Sequence, residues 1–419
     1  MRPVRLTRRR TRWKRSPALL VQKFGGSSVA DAGRIRRVAK RILASRRQGH
    51  DVVVVVSAPG DMTDELIGMA RQITDQPSPR ELDMLLATGE QVSIALLTMA
   101  IHTDGAEAIS LTGAQAGIRT EPVHARARIL SVDRRRIDRE LAGGRIVIVA
   151  GFQGLTDEAE ITTLGRGGSD ATAVALAHAL GAERCQIYTD VEGIFTADPR
   201  IVPRARKLRQ ITYEELLEMA SSGALVVQTR AAEMAMQHRV RLEVRSSFVD
   251  REGTVVTENT LERRKVVTGV THDTDVAKIT TTAVADRPGA AHRLFKAIAD
   301  RHVNVNLIVQ SVPRKERADI SFTVASPDMA AAVEAARGVA AEIGAGEVLA
   351  DDGVAMVSIV GAGMITNPGV AARMFGALAA EGINIELIAT SEIKVSCVIA
   401  RQEVEAAVRT LHTAFELDK

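Results

Sequence analysis

The sequence has few of the features that mark a secreted, metal-binding or membrane protein. It holds two cysteines, Cys185 and Cys397, too few and too far apart for a disulfide framework. Its nine histidines form no metal-ligand spacing such as HExxH. No run of about 18 apolar residues occurs, so no segment is predicted to span a membrane. These absences favour a reducing compartment, and we expect a cytoplasmic protein.

Aromatic residues are scarce, at 3% of the chain, whereas hydrophobic residues as a whole make up 46%. The cores must therefore be built mainly from alanine, valine, leucine and isoleucine. A chain of 419 residues exceeds one ordinary domain, and we expect two or three.

The net charge of +4 comes from one segment. Residues 1–15, MRPVRLTRRRTRWKR, contain eight lysines or arginines and no acid, which leaves 47 basic against 51 acidic residues elsewhere. We expect residues 1–17 to be a disordered arm, with contact to RNA, an anionic membrane or a targeting receptor as the alternative. The mildly acidic remainder predicts neither a nucleic-acid partner nor a membrane partner.

Apolar segments of strand length alternate with helical patterns over the first two hundred residues. The run Asp51–Val56, DVVVVV, is typical of a strand buried on both faces of a parallel sheet. The alternation predicts an α/β domain with a mainly parallel sheet, in which ligands bind at the carboxyl ends of the strands. The predicted strands are residues 19–24, 51–56, 145–150 and 186–189, and the predicted helices are about residues 31–44, 63–75 and 80–103.

Two glycine clusters lie at strand ends. The first, Lys23-Phe24-Gly25-Gly26-Ser27, ends the first strand, and the second, TTLGRGGSDATA at residues 162–173, precedes a helical run. Glycines before a helix let backbone amides approach an anion, which the helix dipole also favours. Two such loops above one sheet suit phosphoryl transfer, although the P-loop spacing GxxxxGK[ST] is missing.

The chain after residue 265 contains an internal repeat. The residues Pro288, Gly289, Phe295, Asn304, Leu307, Ile308 and Ser311 recur 80 positions later as Pro368, Gly369, Phe375, Asn384, Leu387, Ile388 and Ser391. Each copy has the order strand, helix, strand, strand, helix, which indicates a split βαβ module.

The segments VQKFGGSSV, LLATGEQVS, GFQGL, TTLGRGGSDATAVALA and YTDVEGIFTADPRIV together resemble the aspartate kinase family of the amino acid kinase superfamily. The resemblance covers nearly all of residues 18–419 and implies an amino acid kinase fold followed by two βαββαβ modules. The family reaction transfers the γ-phosphoryl group of ATP, with Mg²⁺, to the β-carboxylate of L-aspartate, in lysine, threonine and methionine biosynthesis. This nucleophile is already ionised at neutral pH, so it requires no general base.

The same resemblance implies roles for individual residues. Lys23 would stabilise the transferring charge, and Asp170 would position both Lys23 and the substrate ammonium group. Arg166 would bind the α-carboxylate, and Glu90 would be a second acidic contact. Further residues that match the aspartate pocket are Ser57, Phe152, Gly167, Gly168 and Ser169.

The residues that match the family's nucleotide site are Lys23, Phe24, Gly25, Gly26, Ser27, Thr189, Asp190, Phe195, Asp198 and Arg200. Arg200 is expected to face phosphate, and Mg²⁺ to be held by phosphates and water rather than by a dedicated protein site. Leu225 stands where the family usually has a lysine near the ATP phosphates, Phe195 where tyrosine is common, and Pro59 where methionine or serine is common. We therefore expect activity with weaker ATP binding.

The repeated modules resemble the tandem ACT domains of the family, which have a ferredoxin-like fold and bind amino acids. The implied ligand is lysine, threonine or both, and the implied assembly is a homo-oligomer paired through these modules. The candidate effector-binding residues are Asp286, Asn304, Gln310, Ser311, Asn384 and Ser391.

The number of predicted strands indicates how the modules are connected. Eight candidate strands follow residue 264, which is the number that two four-stranded modules need. Only three of them belong to the second copy, however, and the other five precede it. We therefore expect residues 266–270 to pair with the second module, with the first inserted between its two parts. The predicted domains are the arm at 1–17, the kinase domain at 18–262, the first module at 273–351, and the second at 264–272 with 352–419.

Two alternatives stay open on the sequence. One is a related kinase with another acyl acceptor, such as glutamate. The other is an amino-acid sensor whose kinase domain has lost turnover. The observation that suggests it is Leu225, which replaces the usual lysine near the ATP phosphates.

Overall fold

A computed structural model of the protein describes residues 18–224, 226–258 and 265–419. The predicted arm at 1–17, the departure at Leu225 and the predicted end of the kinase domain therefore lie outside the described residues. The chain divides into two compact units. The first comprises the residues up to Asp190 together with Val240–Asp250, and the second comprises Val191–Arg239 and Arg251–Lys419.

The first unit alternates strands and helices, as predicted. Its strands are β1 (Leu19–Phe24), β2 (Asp51–Val56), β3 (Ala108–Leu111), β4 (Ile118–Thr120), β5 (Ile129–Val132), β6 (Ile146–Ala150), β7 (Gln153–Leu155), β8 (Ile161–Thr163), β9 (Arg184–Thr189) and β11 (Leu242–Ser246). Its helices are α1 (Ala32–Arg47), α2 (Met62–Ile73), α3 (Pro79–Thr103), α4 (Arg135–Ala142) and α5 (Gly168–Leu180).

Six of these strands form a parallel sheet in the order β11-β9-β1-β2-β6-β3. The valines of β2 are 0–1% exposed because helices cover both faces of the sheet. Helices α1 and α3 pack on one face, and α5 packs against β1, β2 and β9. All these strands run in the same direction, so their carboxyl ends meet at one edge.

Helix α3 bears on the prediction that no segment spans a membrane. Among the described residues it is long and apolar enough to cross a membrane, with a mean hydropathy of 1.6 over an 18-residue window. Half of that window is buried inside the protein, where Leu97 and Ile101 are fully covered. A core helix of a globular domain has these properties, since its inner face packs against the sheet.

A second, smaller sheet in the first unit has the order β5-β4-β7-β8. Strand β7 follows directly on the end of β6, and β8 leads into the second glycine cluster. The buried carboxylate of Asp83 on α3 fixes this sheet, because it accepts hydrogen bonds from Thr163 Oγ1 on β8 at 2.5 Å and from the amide of Ala125 at 3.0 Å.

The second unit contains part of the predicted kinase segment and both repeats. Its first elements are β10 (Gln210–Thr212), α6 (Tyr213–Ser221), α7 (Thr229–His238) and β12 (Thr254–Thr257). The repeats contribute β13 (Gly269–Asp273), β14 (Val276–Ala285), α8 (Ala290–Ala299), β15 (Leu307–Gln310), β16 (Arg317–Ala325), α9 (Met329–Val339), β17 (Val348–Asp351), β18 (Val354–Val360), α10 (Val370–Ala380), β19 (Leu387–Thr390), β20 (Lys394–Ala400) and α11 (Val404–Ala414).

Each repeat forms a four-stranded antiparallel sheet, and the orders are β15-β16-β14-β17 and β13-β18-β20-β19. Strand β13 pairs with β18 of the second module, Val270 lying opposite Ile359. The expected pairing is thus confirmed, although the strand begins at Gly269 rather than at residue 266. The whole first module lies between β13 and β18 in the sequence.

The two modules adjoin through β15 and β19. Leu307, Val354 and Val398 form a shared apolar cluster there, and Lys278 of the first module is ion-paired with Glu386 of the second. The stretches that were predicted to bind an effector, 304–311 and 384–391, therefore meet within one chain.

Candidate substrate and phosphoryl-transfer site

The predicted active-site residues of the first unit converge at the carboxyl edge of its large sheet. Lys23 lies near the end of β1, and its ammonium nitrogen is 2.6 Å from Oδ1 of Asp170 in the first turn of α5. Their side chains are only 13% and 5% exposed. A paired lysine and carboxylate with so little water access is unusual unless the site binds charged ligands.

The first glycine cluster is locked against the loop that follows β2. A Cβ at Gly26 would lie 2.7 Å from the carbonyl oxygen of Ala58, which is closer than real Cβ atoms approach. The amide of Gly60 also donates to the carbonyl oxygen of Gly26 at 3.1 Å. Only glycine fits this contact, so Gly26 fixes the loop beside Lys23.

Glu90 on α3 reaches the same loop from the core. Its Oε1 accepts a hydrogen bond from the amide of Ala58 at 3.1 Å, whereas the buried Oε2 has no hydrogen-bond partner among the described residues. Glu90 is 3% exposed, and this burial raises its pKa to about 7. A buried oxygen without a partner can accept a hydrogen bond from a bound molecule, and an ammonium group would supply one.

The second glycine cluster forms the turn that starts α5. Gly167 caps the helix with a φ of 73°, in the left-handed region that favours glycine. A Cβ at Gly168 would lie 2.9 Å from the ring of Phe152, and one at Gly151 would lie 2.5 Å from Oγ of Ser169. The turn is therefore pressed against the end of β6, and the helix dipole acts on Asp170 and on any anion bound there.

Arg166 extends from this turn. It is exposed, and its guanidinium group has no hydrogen-bond or ion-pair partner among the described residues. Ser57 is half-buried at the end of β2, and Ser27 is exposed. The ring of Phe24, by contrast, is fully buried and stacked on Tyr188 at 4.6 Å, so its backbone alone could contact a nucleotide.

The predicted nucleotide residues are divided between the units. In the first, the hydroxyl of Thr189 donates to Oδ1 of Asp190 at 3.0 Å. In the second, Arg200 is 88% exposed but paired with Asp198, Nη2 to Oδ2 at 2.7 Å. These hydrogen bonds lower the pKa of Asp198. The structure thus shows Arg200 bound to a carboxylate, where the sequence predicted that it would face phosphate.

Phe195 is half-buried and its backbone forms a bridge with Lys207. The ammonium group of Lys207 is held by the carbonyl oxygen of Glu252 at 2.6 Å and by the carboxylate of Glu192 at 3.5 Å. Across residues 18–224, 226–258 and 265–419, no group of three or more His, Cys, Asp or Glu side chains is arranged to hold a metal ion.

Two positions that support the site were missed on the sequence. Gly151 leaves room for the side chain of Ser169, which a Cβ at that position would contact too closely. Asp83 accepts hydrogen bonds from Thr163 and Ala125, in the segments that precede the second glycine cluster. The motif GFQGL contains Gly151 and gave a signal for it. Nothing in the local sequence distinguishes Asp83 from an exposed helix carboxylate, because its burial depends on β8 and on residue 125.

The candidate effector-binding residues are exposed at the ends of strands in both modules. In the first module the hydroxyl of Ser311 accepts a hydrogen bond from the amide of Asp319 at 2.9 Å, and Asn304 donates to Asn306 at 3.3 Å. In the second, the hydroxyl of Ser391 donates to Glu218 of α6 at 2.9 Å. Asp286, Gln310 and Asn384 are also exposed.

Protein-family profiles match both the kinase segment and the two repeated modules. The profile described as Amino acid kinase family matches residues 18–246, and two ACT domain profiles match residues 279–341 and 357–415. Aspartokinase of Mycobacterium tuberculosis is 52% identical over 406 residues, which cover 96% of each chain.

Solved structures are similar over most of the length. Aspartokinase III of E. coli in complex with aspartate and ADP, described as the R-state, aligns with a TM-score of 0.80 and 25% identity, covering 95% of this chain and all of the other. The same enzyme in complex with lysine and aspartate, described as the T-state, aligns with a TM-score of 0.71 and 26% identity, covering 95% and 99%.

Proposed function

Since the chain belongs to the aspartokinase family, we propose that it transfers the γ-phosphoryl group of ATP to the β-carboxylate of L-aspartate, giving 4-phospho-L-aspartate and ADP. The observation that carries this proposal is the buried group at the carboxyl edge of the first unit's sheet. There, the Lys23–Asp170 pair and the oxygen of Glu90 that has no partner among the described residues lie beside two glycine-rich turns.

The chemistry requires positioning and charge neutralisation more than proton transfer. The substrate carboxylate is ionised, so the site must bring two anions into line and stabilise the charge on the transferring group. Lys23, held by Asp170, supplies a cation at this point, and the turn that starts α5 supplies backbone amides and a favourable dipole.

The two ends of the substrate would be bound separately. Arg166, which has no partner among the described residues, suits a two-pronged contact with the α-carboxylate. Glu90 suits the ammonium group, because its buried Oε2 needs a donor. We assign the ammonium contact mainly to Glu90, since Asp170 is already engaged with Lys23.

The nucleotide would enter as MgATP, with the metal ion as part of that substrate. ADP is bound in the E. coli relative, which supports ATP as the donor. Because Arg200 is paired with Asp198, any phosphate contact from it would exchange a carboxylate for a phosphate. Leu225, which lies outside the described residues, supplies no cation, and Leu225→Lys should lower the KM for ATP.

The decisive experiment measures ADP release with aspartate, with glutamate and with no acceptor. Release that depends on aspartate supports the proposal. Preference for glutamate would identify a kinase with another acceptor, and no release with either would identify a sensor that has lost turnover.

Two variants separate binding from chemistry. Lys23→Ala should mainly lower kcat, by about 100-fold or more, because it removes stabilisation of the transferring charge. Arg166→Ala should mainly raise the KM for aspartate, because it removes a contact made equally by bound substrate and transition state. Identical kinetic profiles would contradict these assignments.

The raised pKa of Glu90 adds a pH test. Below pH 7 the free enzyme's Glu90 takes up a proton and loses its attraction for an ammonium group, so the KM for aspartate should rise as pH falls.

The raised pKa of Glu90 should also make the free energy of unfolding depend on pH. A carboxyl whose pKa is raised by burial destabilises the fold as pH rises from 4.5 to 7, and Glu90→Gln should remove up to about 3 kcal/mol of this loss.

The remaining proposals concern regulation and organisation. We propose that lysine, threonine or both bind near β15 and β19 and inhibit the kinase, since lysine is bound in the T-state relative. We retain the domain boundaries given by the sequence, cytoplasmic localisation and a homo-oligomer formed through the modules as proposals. Titration with each amino acid tests the regulatory part, and light scattering tests the assembly.

A further inference from the structure

A cavity of about 300 Å³ opens in the first unit at the start of α4, and none of its lining residues belongs to the proposed substrate site. It is lined by Ala114, Gln115 and Gly117 of one turn, by Arg119 of β4, and by Asp133, Arg135, Arg136 and Arg139. The lining holds four guanidinium groups and one carboxylate, a formal excess of three positive charges, of which the one on Arg136 is paired with Glu140 beside the cavity.

Three of the four arginines are held in place. Fixed donors bind an anion with less loss of side-chain entropy than free ones. The restraints are a hydrogen bond from Arg119 Nη1 to the carbonyl oxygen of Thr156 at 3.1 Å, one from Arg135 Nε to Asp133 Oδ1 at 2.9 Å, and an ion pair of Arg136 Nε with Glu140 Oε1 at 2.7 Å.

Arg139 differs from the other three. It is exposed, and no described residue accepts a hydrogen bond from its guanidinium group. It lies one helical turn after Arg135 and three residues after Arg136, on the same side of α4. Like charges at this spacing repel each other, so an anion between them would relieve repulsion as well as gain charge-assisted hydrogen bonds.

We propose that this cavity binds a small anion with two or more clustered negative charges, such as a pyrophosphate, a phosphate ester or a tricarboxylate. The planar guanidinium groups match the oxygen geometry of phosphate and carboxylate alike. The volume is that of a small-molecule site at the lower end of the usual range. Asp133 offsets one positive charge, which disfavours a ligand of single charge.

The test titrates the full chain with pyrophosphate, with citrate and with acetate in a calorimeter. Binding of pyrophosphate or citrate, with acetate at least tenfold weaker, is expected. Arg139→Gln should lower the affinity about tenfold or more, and Arg139→Lys should retain part of it. Arg47→Gln, which changes an exposed arginine of α1, is the matched control and should leave the affinity unchanged.

A variant that should raise the affinity, rather than lower it, strengthens the test. Asp133→Asn removes the carboxylate of the cavity while keeping an acceptor for Arg135, so polyanion affinity should rise severalfold. Failure of both polyanions to bind at millimolar concentration would overturn the proposal. So would binding that Arg139→Gln leaves unchanged, since the anion would then occupy another site. The turnover assay is independent, because no cavity residue belongs to the proposed active site.

Discussion

The two repeated modules have the same strand order but obtain their fourth strand in different ways. In the first, the outer strand beside β14 is β17, which follows in sequence. In the second, the equivalent strand beside β18 is β13, which precedes the first module. The equivalence extends to single residues. Ala350 pairs with Ile279 in the first module, and Val270 pairs with Ile359, the residue 80 positions after Ile279, in the second.

These equivalent strands have opposite environments. Val270 is 1% exposed, whereas Ala350 is exposed. The amide of Val270 donates to the carbonyl oxygen of Thr196 at 2.8 Å, and Thr196 Oγ1 lies 2.9 Å from His412 Nε2 of α11. The segment 191–239 thus covers the outer strand of the second module. Equal sequence patterns therefore do not give equal surroundings.

Equivalent serines show the same difference. Ser311 is hydrogen-bonded to Asp319 within its own module, whereas Ser391 donates to Glu218 of α6, which also pairs with Lys394 at 2.8 Å. Only the second of these contacts links an effector-binding candidate to the segment 191–239. We therefore expect the second module to transmit a signal to α6.

The largest expected effect tests the outer strands. Val270→Asp places a charge in a buried strand, and the free energy of unfolding should fall by about 3 kcal/mol or more. Ala350→Asp, at the equivalent exposed position, should cost less than about 1 kcal/mol. Denaturant unfolding of both full-length variants measures the difference, and equal losses would remove the distinction between the two strands.

A smaller effect is expected at Glu215 of α6, which is 6% exposed. Its carboxylate completes the capping box with Thr212 and accepts from Thr268 Oγ1 at 2.7 Å and from the amide of Ala362 at 3.0 Å. Glu215→Ala should lower stability by about 2–3 kcal/mol, since it leaves several donors unpaired. The exposed neighbour variant Glu214→Ala should stay within about 0.5 kcal/mol of the parent protein.

The link between Ser391 and Glu218 gives a regulatory prediction. An effector that uses the hydroxyl of Ser391 must displace Glu218, so Glu218→Gln should lower the half-inhibitory amino-acid concentration by about twofold to tenfold. Inhibition curves for lysine and threonine measure the shift. Glu214→Gln, on the same helix, serves as control, and a rise in the inhibitory concentration would contradict the proposed competition.

The smallest effect concerns the ion pair between the modules. Lys278 and Glu386 are 21% and 25% exposed, and their pairing should contribute no more than about 1 kcal/mol. A double-mutant cycle with Lys278→Met and Glu386→Gln measures the coupling energy. A coupling well above this value would mean that the pair, rather than the apolar cluster around Leu307, holds the modules together.

Much of the fold followed from local patterns. The buried run of β2 predicted the parallel sheet, the glycine clusters predicted the turns at its carboxyl edge, and the 80-residue repeat predicted the two modules. Helix ends were less well placed, α1 ending at Arg47 rather than near residue 44, because that last turn is polar and partly exposed. The pairing of Arg200 with Asp198 was not expected from the sequence, and the predicted contact of Arg200 with phosphate stays a prediction.

The sequence alone predicted four strands of the first unit (β1, β2, β6 and β9), the two repeats, and the need for β13 to complete the second module. Each depends on residue type and spacing along the chain. Three features are visible only in the folded structure: the burial of Glu90 with one oxygen unpaired among the described residues, the hydrogen bond from Thr163 of β8 to Asp83, and the four arginines that line a cavity at α4. Burial, pKa and charge clustering are set by neighbours distant in sequence, and no local pattern contains them.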